Sequence, residues 1–200
     1  MGWTSYNATH YLKNGKVNCK AEVDSMFTQE EHDGPDYKGG TCHYPKMEVV
    51  KSVMVGSTYY AAVRTTNSET GYDKTWGAVV LTSTKKDDGF NFGYKDMSED
   101  MGPCYYDCPK RILDLLSPTD SEYALDWRRK CYEKLNKPSF SKLPIGTRIR
   151  YKLWNGKEVE AYKHDAAYQF KRPFWMLADG SGYVSTKHIP ENYEVVTCTN

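Results

Sequence analysis

A proline- and serine-rich interruption in the second half of the chain is the feature that most constrains how these 200 residues can fold. The segment Asn136–Pro144 (NKPSFSKLP) breaks every periodic pattern that reaches it, as segments between domains commonly do. The charge balance changes at the same place, because residues 138–200 carry 9 basic and 6 acidic side chains whereas residues 1–100 carry 11 and 14. We therefore predict two domains, over residues 1–137 and 143–200.

The first domain is predicted to contain an antiparallel β-meander. Residues 47–65 and 75–84 are rich in Val, Thr and Tyr, and aromatic residues alternate with Asn and Gly over 90–94. Residues 76–81 (WGAVVL) are apolar on both faces, which predicts a central strand with a helix layer on one side. Residues 30–46 are polar and rich in Gly and Pro, which indicates a long surface loop with solvated acidic side chains.

Helix signals flank this meander on both sides along the chain. Asn18 is placed as the N-cap of a short amphipathic helix, and Pro109 begins the helical segment PKRILDLL. Thr119 and Glu122 have the spacing of a capping box before a helix over residues 120–136. The apolar face of that helix consists of Ala124, Trp127, Cys131 and Leu135. Sheet and helices together predict an α+β domain.

The second domain begins with strict alternation over residues 147–153, which indicates a half-buried strand with a basic outer stripe. The hairpin signal Asn155–Gly156 follows. We predict a three-residue loop, Asn155–Lys157, because a two-residue turn would place glutamates opposite apolar side chains. This register pairs Lys152 with Glu160 and leaves Arg148 and Arg150 less compensated.

Further strands are predicted over residues 168–177, 182–186 and 194–197. Five short strands in about 60 residues have the size of a small SH3-like β-barrel. The predicted fold is therefore an antiparallel meander packed with helices, followed by an SH3-like barrel.

Four soft ligands make one candidate zinc site. Cys104 and Cys108 have C-x3-C spacing, and Cys42 and His43 are available from the polar loop. The alternative is that Cys104 and Cys108 are small core residues at a helix entrance. Cys108 also precedes a helix, where a thiol can be activated, but no partner histidine is identifiable from spacing. We expect no cofactor, with zinc as the alternative.

The segment Tyr168–Trp175 (YQFKRPFW) combines aromatic and basic residues, a combination that stacks on bases and holds phosphates. The candidate nucleic-acid contacts are Arg148, Arg150, Lys171, Arg172 and Trp175. Strand alternation equally predicts that some of these rings form the core of the barrel. A protein-binding surface would use the same residue types.

Tyrosine is unusually frequent, with 17 in the chain. Several fall on predicted strands, but Tyr105 and Tyr106 fall in a predicted loop and are candidate binding residues. A phenol ring offers a large contact area with a polar tip, which suits recognition better than catalysis.

The start of the chain has neither the basic nor the apolar region of a secretory signal, and no apolar run approaches the length of about 20 residues that a membrane helix needs. We expect a cytoplasmic protein without a membrane partner. The 6 cysteines are too sparse for a disulfide scaffold, so reduced thiols are expected.

Several segments together resemble an uncharacterised family carried by phages, plasmids and integrative elements of gut Firmicutes. They are MGWTSYNATHYLKNGKV, VGSTYYAAVR, FNFGYKDMSEDMGPCYYDCPKRILDLL, SPTDSEYALDWRRKC, LPIGTRIRYKL and AYQFKRPFW. The resemblance covers nearly the whole chain but transfers no catalytic residue. It implies a bacterial cytoplasm and a mobile element that meets host defences.

Three hypotheses follow. The favoured one is a non-enzymatic accessory protein of a mobile element that binds a host protein or nucleoprotein and inhibits a defence system such as CRISPR. The second is a nucleic-acid-binding protein that uses the basic and aromatic C-terminal domain. The third is a small metal- or thiol-dependent enzyme around Cys104 and Cys108.

Overall fold

The chain forms two compact units, Met1–Lys137 and Pro138–Asn200. The computed structural model describes residues 3–84, 91–137, 140–165, 172–185, 189–190 and 193–197. The elements of the first unit are β1 (Thr4–Asn7), α1 (Cys19–Met26), β2 (His32–Pro35), β3 (Thr41–Tyr44), β4 (Lys46–Val55), β5 (Thr58–Asn67), β6 (Tyr72–Thr84), β7 (Asn91–Ser98), a 3-10 helix (Glu99–Met101), α2 (Lys110–Leu113) and α3 (Glu122–Asn136). Those of the second unit are a 3-10 helix (Phe140–Lys142), β8 (Arg148–Lys152), β9 (Glu158–His164), β10 (Phe174–Leu177), β11 (Tyr183–Val184) and β12 (Glu194–Thr197).

The first unit is built on an antiparallel sheet with the strand order β1-β7-β6-β5-β4. The meander predicted from the sequence is confirmed, and β6 is its central strand. Successive side chains of β5 point to opposite faces of the sheet and enter two different cores. Tyr60 packs in one core with Trp127 of α3, whereas Tyr59 packs in the other with Val23 of α1. Helices therefore cover both faces of the sheet, whereas the sequence predicted a helix layer on one face.

The structure confirms the predicted start of α1 and corrects the predicted cap and buried face of α3. The Asn18 side chain caps α1 by accepting a hydrogen bond from the Ala21 N–H at 3.2 Å, as predicted. The N-cap of α3 is Ser121 and not Thr119, whose hydroxyl instead accepts from the Ser121 N–H. Leu135 is 44% exposed, so the buried face of α3 ends before it.

The sequence analysis did not predict two turns of the first unit, those of the β2–β3 and β4–β5 hairpins. The polar loop predicted over residues 30–46 contains the antiparallel hairpin β2–β3. Its turn is closed by the Asp36 carboxylate, which accepts hydrogen bonds from the Lys38 and Gly40 N–H groups at 2.8 and 2.7 Å. Residues 47–65 are two strands, because the chain reverses at Gly56, whose φ of 60° lies in the left-handed region.

The second unit contains an antiparallel sheet with the order β11-β10-β9-β8-β12. Within the described residues its edge strands β11 and β12 do not pair with each other, so no closed barrel is found. Its core lies on one face of the sheet and consists of Leu143, Ile149, Tyr151, Ala161, Trp175 and Tyr193.

The β8–β9 hairpin has a three-residue loop, but the loop lies one residue earlier than predicted. Leu153 and Lys157 flank it, and the Leu153 N–H donates to the Lys157 carbonyl at 2.9 Å. Gly156, with a φ of 80°, occupies the last loop position, where a left-handed residue is needed. The shift keeps every side chain on its predicted face but pairs Arg150, and not Lys152, with Glu160.

Candidate functional site

A row of aromatic rings crosses the outer face of the second sheet, on the side opposite its core. The rings of Tyr162 and His164 on β9 lie 4.5 Å apart. The His164 ring stacks on Phe174 of β10 at 5.4 Å, and Phe174 meets Tyr183 of β11 edge to face at 5.3 Å. Three neighbouring strands thus present one continuous strip, which we call the aromatic row.

The rings of this row remain accessible to solvent. Tyr162, His164 and Phe174 are partly exposed, and Tyr183 is 56% exposed. Because the core of the unit lies on the other face, these rings are not needed to fill it. A sheet face with accessible rings is the geometry on which bases stack in single-strand-binding proteins.

Cationic side chains lie beside the aromatic row. Arg148 of β8 is directly opposite Tyr162 in the β8–β9 pairing and is exposed. Arg172 is exposed two residues before Phe174. Arg150 is committed to an ion pair with Glu160 at 2.7 Å, contrary to the prediction that it is poorly compensated. Lys171 lies outside the described residues.

Trp175 was predicted as a stacking residue, but it faces the opposite way. It is 2% exposed and packs in the core, where its ring lies 4.4 Å from that of Phe140. Because successive strand residues point to opposite faces, an inward Trp175 places Phe174 outward. The sequence segment therefore contains a stacking residue, one position earlier than expected.

The cysteines of the candidate zinc site have different environments. Cys104 and Cys42 are exposed, whereas Cys108 is buried in the core with Cys131. Burial raises the pKa of Cys108 far above its ordinary value and that of Cys131 to about 12. Raised pKa values oppose both thiolate ligation and nucleophilic attack. The alternative, in which Cys104 and Cys108 are both small core residues, describes Cys108 but not the exposed Cys104.

His43 lies in a group of carboxylates that the sequence did not predict. Its Nε2 is 2.7 Å from Glu31, and its Nδ1 is 2.8 Å from Asp33 and 3.7 Å from Glu69. Within the described part of the chain, the group of three or more potential metal ligands is Asp33, His43 and Glu69, and it includes no cysteine. The hydrogen bonds that the His43 ring donates to Glu31 and Asp33 raise the pKa of His43 to about 8.

This arrangement follows from the hairpin. Asp33 and His43 are cross-strand partners in β2 and β3, so their side chains share a face. Glu31 also accepts a hydrogen bond from the Ser68 N–H at 2.6 Å, which ties the hairpin to the turn between β5 and β6. With both ring nitrogens facing carboxylates, His43 is arranged as an imidazolium ion.

Tyr105 and Tyr106, predicted as binding residues, serve the packing of α3. The Tyr105 carbonyl accepts from the Trp127 indole N–H at 2.9 Å. The Lys130 ammonium lies 5.2 Å from the centre of the Tyr106 ring, in cation–π contact. Both residues are only partly exposed and pack against the core. Among the residues that the structure describes, the most exposed aromatic side chains are Trp154, at 97%, and Tyr37, at 91%.

These features define an antiparallel α+β protein whose second unit carries an open sheet lined with aromatic and basic residues. Residues 118–153 match a domain of unknown function, DUF6927. The match covers α3 and β8, and it supports a relationship to an uncharacterised family. No curated protein and no solved structure matches the chain significantly. Among the described residues, no helix has the length and apolar character needed to cross a bilayer.

Proposed function

We propose that this protein is a non-enzymatic binding protein of a phage or other mobile element, and that the aromatic row binds single-stranded nucleic acid. The observation that carries the proposal is the row itself: four accessible rings across three strands, with Arg148 and Arg172 beside them. Rings stack on bases of any sequence, and guanidinium groups hold the phosphates between them.

The charge of the second unit supports the same ligand. Its excess of basic residues, 9 against 6 acidic, attracts a phosphate backbone without the strong field of a polybasic tail. Arg150 pairs with Glu160 and Lys152 with Glu158, whereas Arg148 forms no ion pair with any residue that the structure describes. Binding should therefore depend on salt, but only as strongly as a few phosphate contacts allow.

The test measures the affinity for labelled single strands of DNA and RNA, each about 20 nucleotides long, by fluorescence anisotropy across a range of salt concentrations. Tyr183→Leu removes a ring at a 56% exposed site, and it should weaken binding by about 1–3 kcal/mol if one base stacks there. Arg148→Gln should weaken binding and reduce the salt slope by about 0.7. Lys142→Gln removes an equal charge from an exposed position outside the sheet and should leave both quantities unchanged.

No binding at low salt would contradict the nucleic-acid ligand. Equal losses in Arg148→Gln and Lys142→Gln would show that only the overall charge matters, which would contradict the site. A preference for double-stranded over single-stranded probes would also contradict it, because stacked bases in a duplex do not offer their faces.

A host protein or nucleoprotein is the second candidate partner, acting in the cytoplasm of a bacterial host. Trp154 favours a protein contact, because it is 97% exposed at the tip of the β8–β9 hairpin and Trp is a frequent centre of protein interfaces. A nucleoprotein, such as a CRISPR effector, would offer a protein surface to Trp154 and a single strand to the aromatic row.

Capture from host lysate with the wild-type protein, Trp154→Ser and Tyr183→Leu separates these partners. A protein partner should be lost with Trp154→Ser and survive nuclease treatment. A nucleoprotein should be lost with either variant. Recovery of the same proteins by all three forms would contradict both contacts.

A further inference from the structure

A second candidate binding site lies in the first unit, on the face of the sheet that α1 only partly covers. There, β5, β6 and β7 form the floor of an open pocket with a volume of about 630 Å³. This volume lies within the range of about 300–1,000 Å³ found for small-molecule sites. The residues that line it include the aromatic residues Tyr72 and Trp76, the acidic residues Asp96 and Asp100, and Met101 of the 3-10 helix.

The Trp76 ring is held in place by two contacts. Its indole N–H donates to the Thr65 hydroxyl at 2.8 Å, and the Phe27 ring meets it edge to face at 5.7 Å. Because both contacts come from the protein itself, they fix the orientation of the indole without help from a ligand. A fixed aromatic wall costs little conformational entropy when a ligand packs against it.

The two aspartates give this pocket a negative charge. In the part of the chain that the structure describes, neither Asp96 nor Asp100 forms an ion pair with Lys or Arg. Although Asp96 is exposed to solvent, the protein atoms around it raise the pKa of its carboxyl through desolvation. A carboxylate that has lost hydration without gaining a cation is stabilised by a positive ligand.

The aromatic walls favour the same kind of ligand. The faces of Trp and Tyr rings attract cations, and cages of aromatic and acidic residues are a common way to bind ammonium groups. One ring of the pocket already has such a contact, because the Lys74 ammonium lies 5.9 Å from the centre of the Tyr72 ring. Lys74 lines the neighbouring cleft and not the pocket itself.

We infer that this pocket binds an organic cation, an ammonium or guanidinium group carried on an apolar body, against Trp76 with Asp96 and Asp100 as counter-ions. Such a group belongs either to a free amine or to a Lys or Arg side chain of a peptide. The site is independent of the aromatic row, and neither proposal requires the other.

The test uses nuclear magnetic resonance of the indole N–H signals, with the signal of Trp76 identified by its loss in Trp76→Phe. The probes are 2-phenylethylammonium and its neutral counterpart 2-phenylethanol, which have nearly the same size. The ammonium compound should shift the Trp76 signal in a saturable way, and the alcohol should bind at least about tenfold more weakly. Capped hexapeptides with a central Lys or Gln distinguish a peptide source from a free amine.

Charge variants locate the binding. Asp96→Asn and Asp100→Asn preserve side-chain size and should each weaken ammonium binding at least about fivefold, with little effect on the alcohol. Glu133→Gln is the matched control, because it removes one negative charge from an exposed position on α3. It should leave binding unchanged, and the dispersion of the remaining indole signals reports that every variant is folded.

Three results would overturn this inference. Equal affinity for the ammonium compound and the alcohol would mean a pocket that selects apolar bodies and not charge. An equal loss in Glu133→Gln would mean long-range attraction and no site. The absence of any saturable shift of the Trp76 signal with either the amine or the Lys peptide, up to about 20 mM, would mean that no organic cation binds there.

Discussion

Arg128 on α3 holds the buried carboxylate of Glu99 through two parallel hydrogen bonds, each 2.8 Å long. Glu99 also accepts from the Gly77 N–H on the central strand at 2.9 Å, and Arg128 donates to the Ser117 carbonyl at 2.8 Å. The pair therefore joins the helix, the central strand and the segment before α3 at a single point. Every polar atom named here has a partner, which is the condition for a buried charge pair to be tolerated.

Loss of Arg128 should destabilise the first unit strongly. Arg128→Met leaves the Glu99 carboxylate, with only 2% of its side chain exposed, without a cation, and we expect a loss of about 3–5 kcal/mol in the free energy of unfolding. Arg129→Met is the control, because Arg129 pairs with Asp126 and Glu133 at the surface and should cost less than about 1 kcal/mol. Urea denaturation measures both, and equal losses would contradict the structural role of the buried pair.

Gly77 should not tolerate even one added methyl group. A Cβ there would lie 3.2 Å from the Glu99 carboxyl and 3.3 Å from the Trp127 ring, and hydrogen bonds to both groups oppose the shift that this contact would require. We expect Gly77→Ala to cost about 1–3 kcal/mol, as overpacking does. Thermal unfolding tests this against Gly182→Ala, whose Cβ would have no neighbour within 4 Å. A stabilised Gly77→Ala variant would contradict the close packing.

The attachment of the β2–β3 hairpin should depend on pH through His43 and Glu31. The His43 pKa is raised to about 8. The stabilisation of the attached hairpin by the charged ring is therefore complete below the ordinary pKa of 6.5 and is lost as pH rises through 8. The Glu31 pKa is lowered to about 2. The stabilisation by its carboxylate is therefore present above the ordinary pKa of 4.5 and is lost as pH falls through 2. Attachment should be strongest between about pH 4.5 and 6.5, where both groups are charged.

Amide hydrogen exchange of the hairpin across this pH range, corrected for intrinsic rates, measures the effect. Protection should fall between pH 7 and 9 in the wild-type protein, and this step should disappear in His43→Gln. His32→Gln, which alters the other hairpin histidine, should retain it. A wild-type profile that is flat between pH 7 and 9 would contradict the role of the imidazolium ion.

Cysteine reactivity should follow burial. Cys42 and Cys104 are exposed and should react with iodoacetamide in the native protein, whereas Cys108 and Cys131 should react only after unfolding. Burial raises the pKa of both core thiols, so neither supplies thiolate at neutral pH. Peptide mapping by mass spectrometry identifies the modified residues. Rapid native labelling of Cys108 would instead support the hypothesis of a thiol enzyme.

The periodic segments of this chain were the easiest to interpret from sequence. The apolar run over residues 76–81 predicted the central strand, and Asn18 predicted the start of α1. Both signals depend only on a few neighbouring residues in the chain. The local signal was ambiguous where two residues of a capping type lie close together. Thr and Ser are both favoured N-cap residues, and the structure uses Ser121, whose hydroxyl accepts a hydrogen bond from the Ala124 N–H.

Site residues were harder to predict, because a site depends on which face a side chain takes and on partners far away in the chain. The segment before Trp175 was recognised as aromatic and basic, but a one-residue difference in phase decides whether Phe174 or Trp175 faces solvent. Pairing across β9, β10 and β11 then brings Tyr162 and Tyr183 to the same row.

By itself the sequence determined the break between two units, the meander with its central strand, and the alternation that separates the two faces of each sheet. Those properties depend on residues close together in the chain. Only the tertiary structure decided that Glu31 and His43 meet, that Arg128 reaches Glu99, and that Trp175 is core while Phe174 is surface. Each of these depends on strand register and helix docking, where the free energy comes from contacts between residues far apart in sequence.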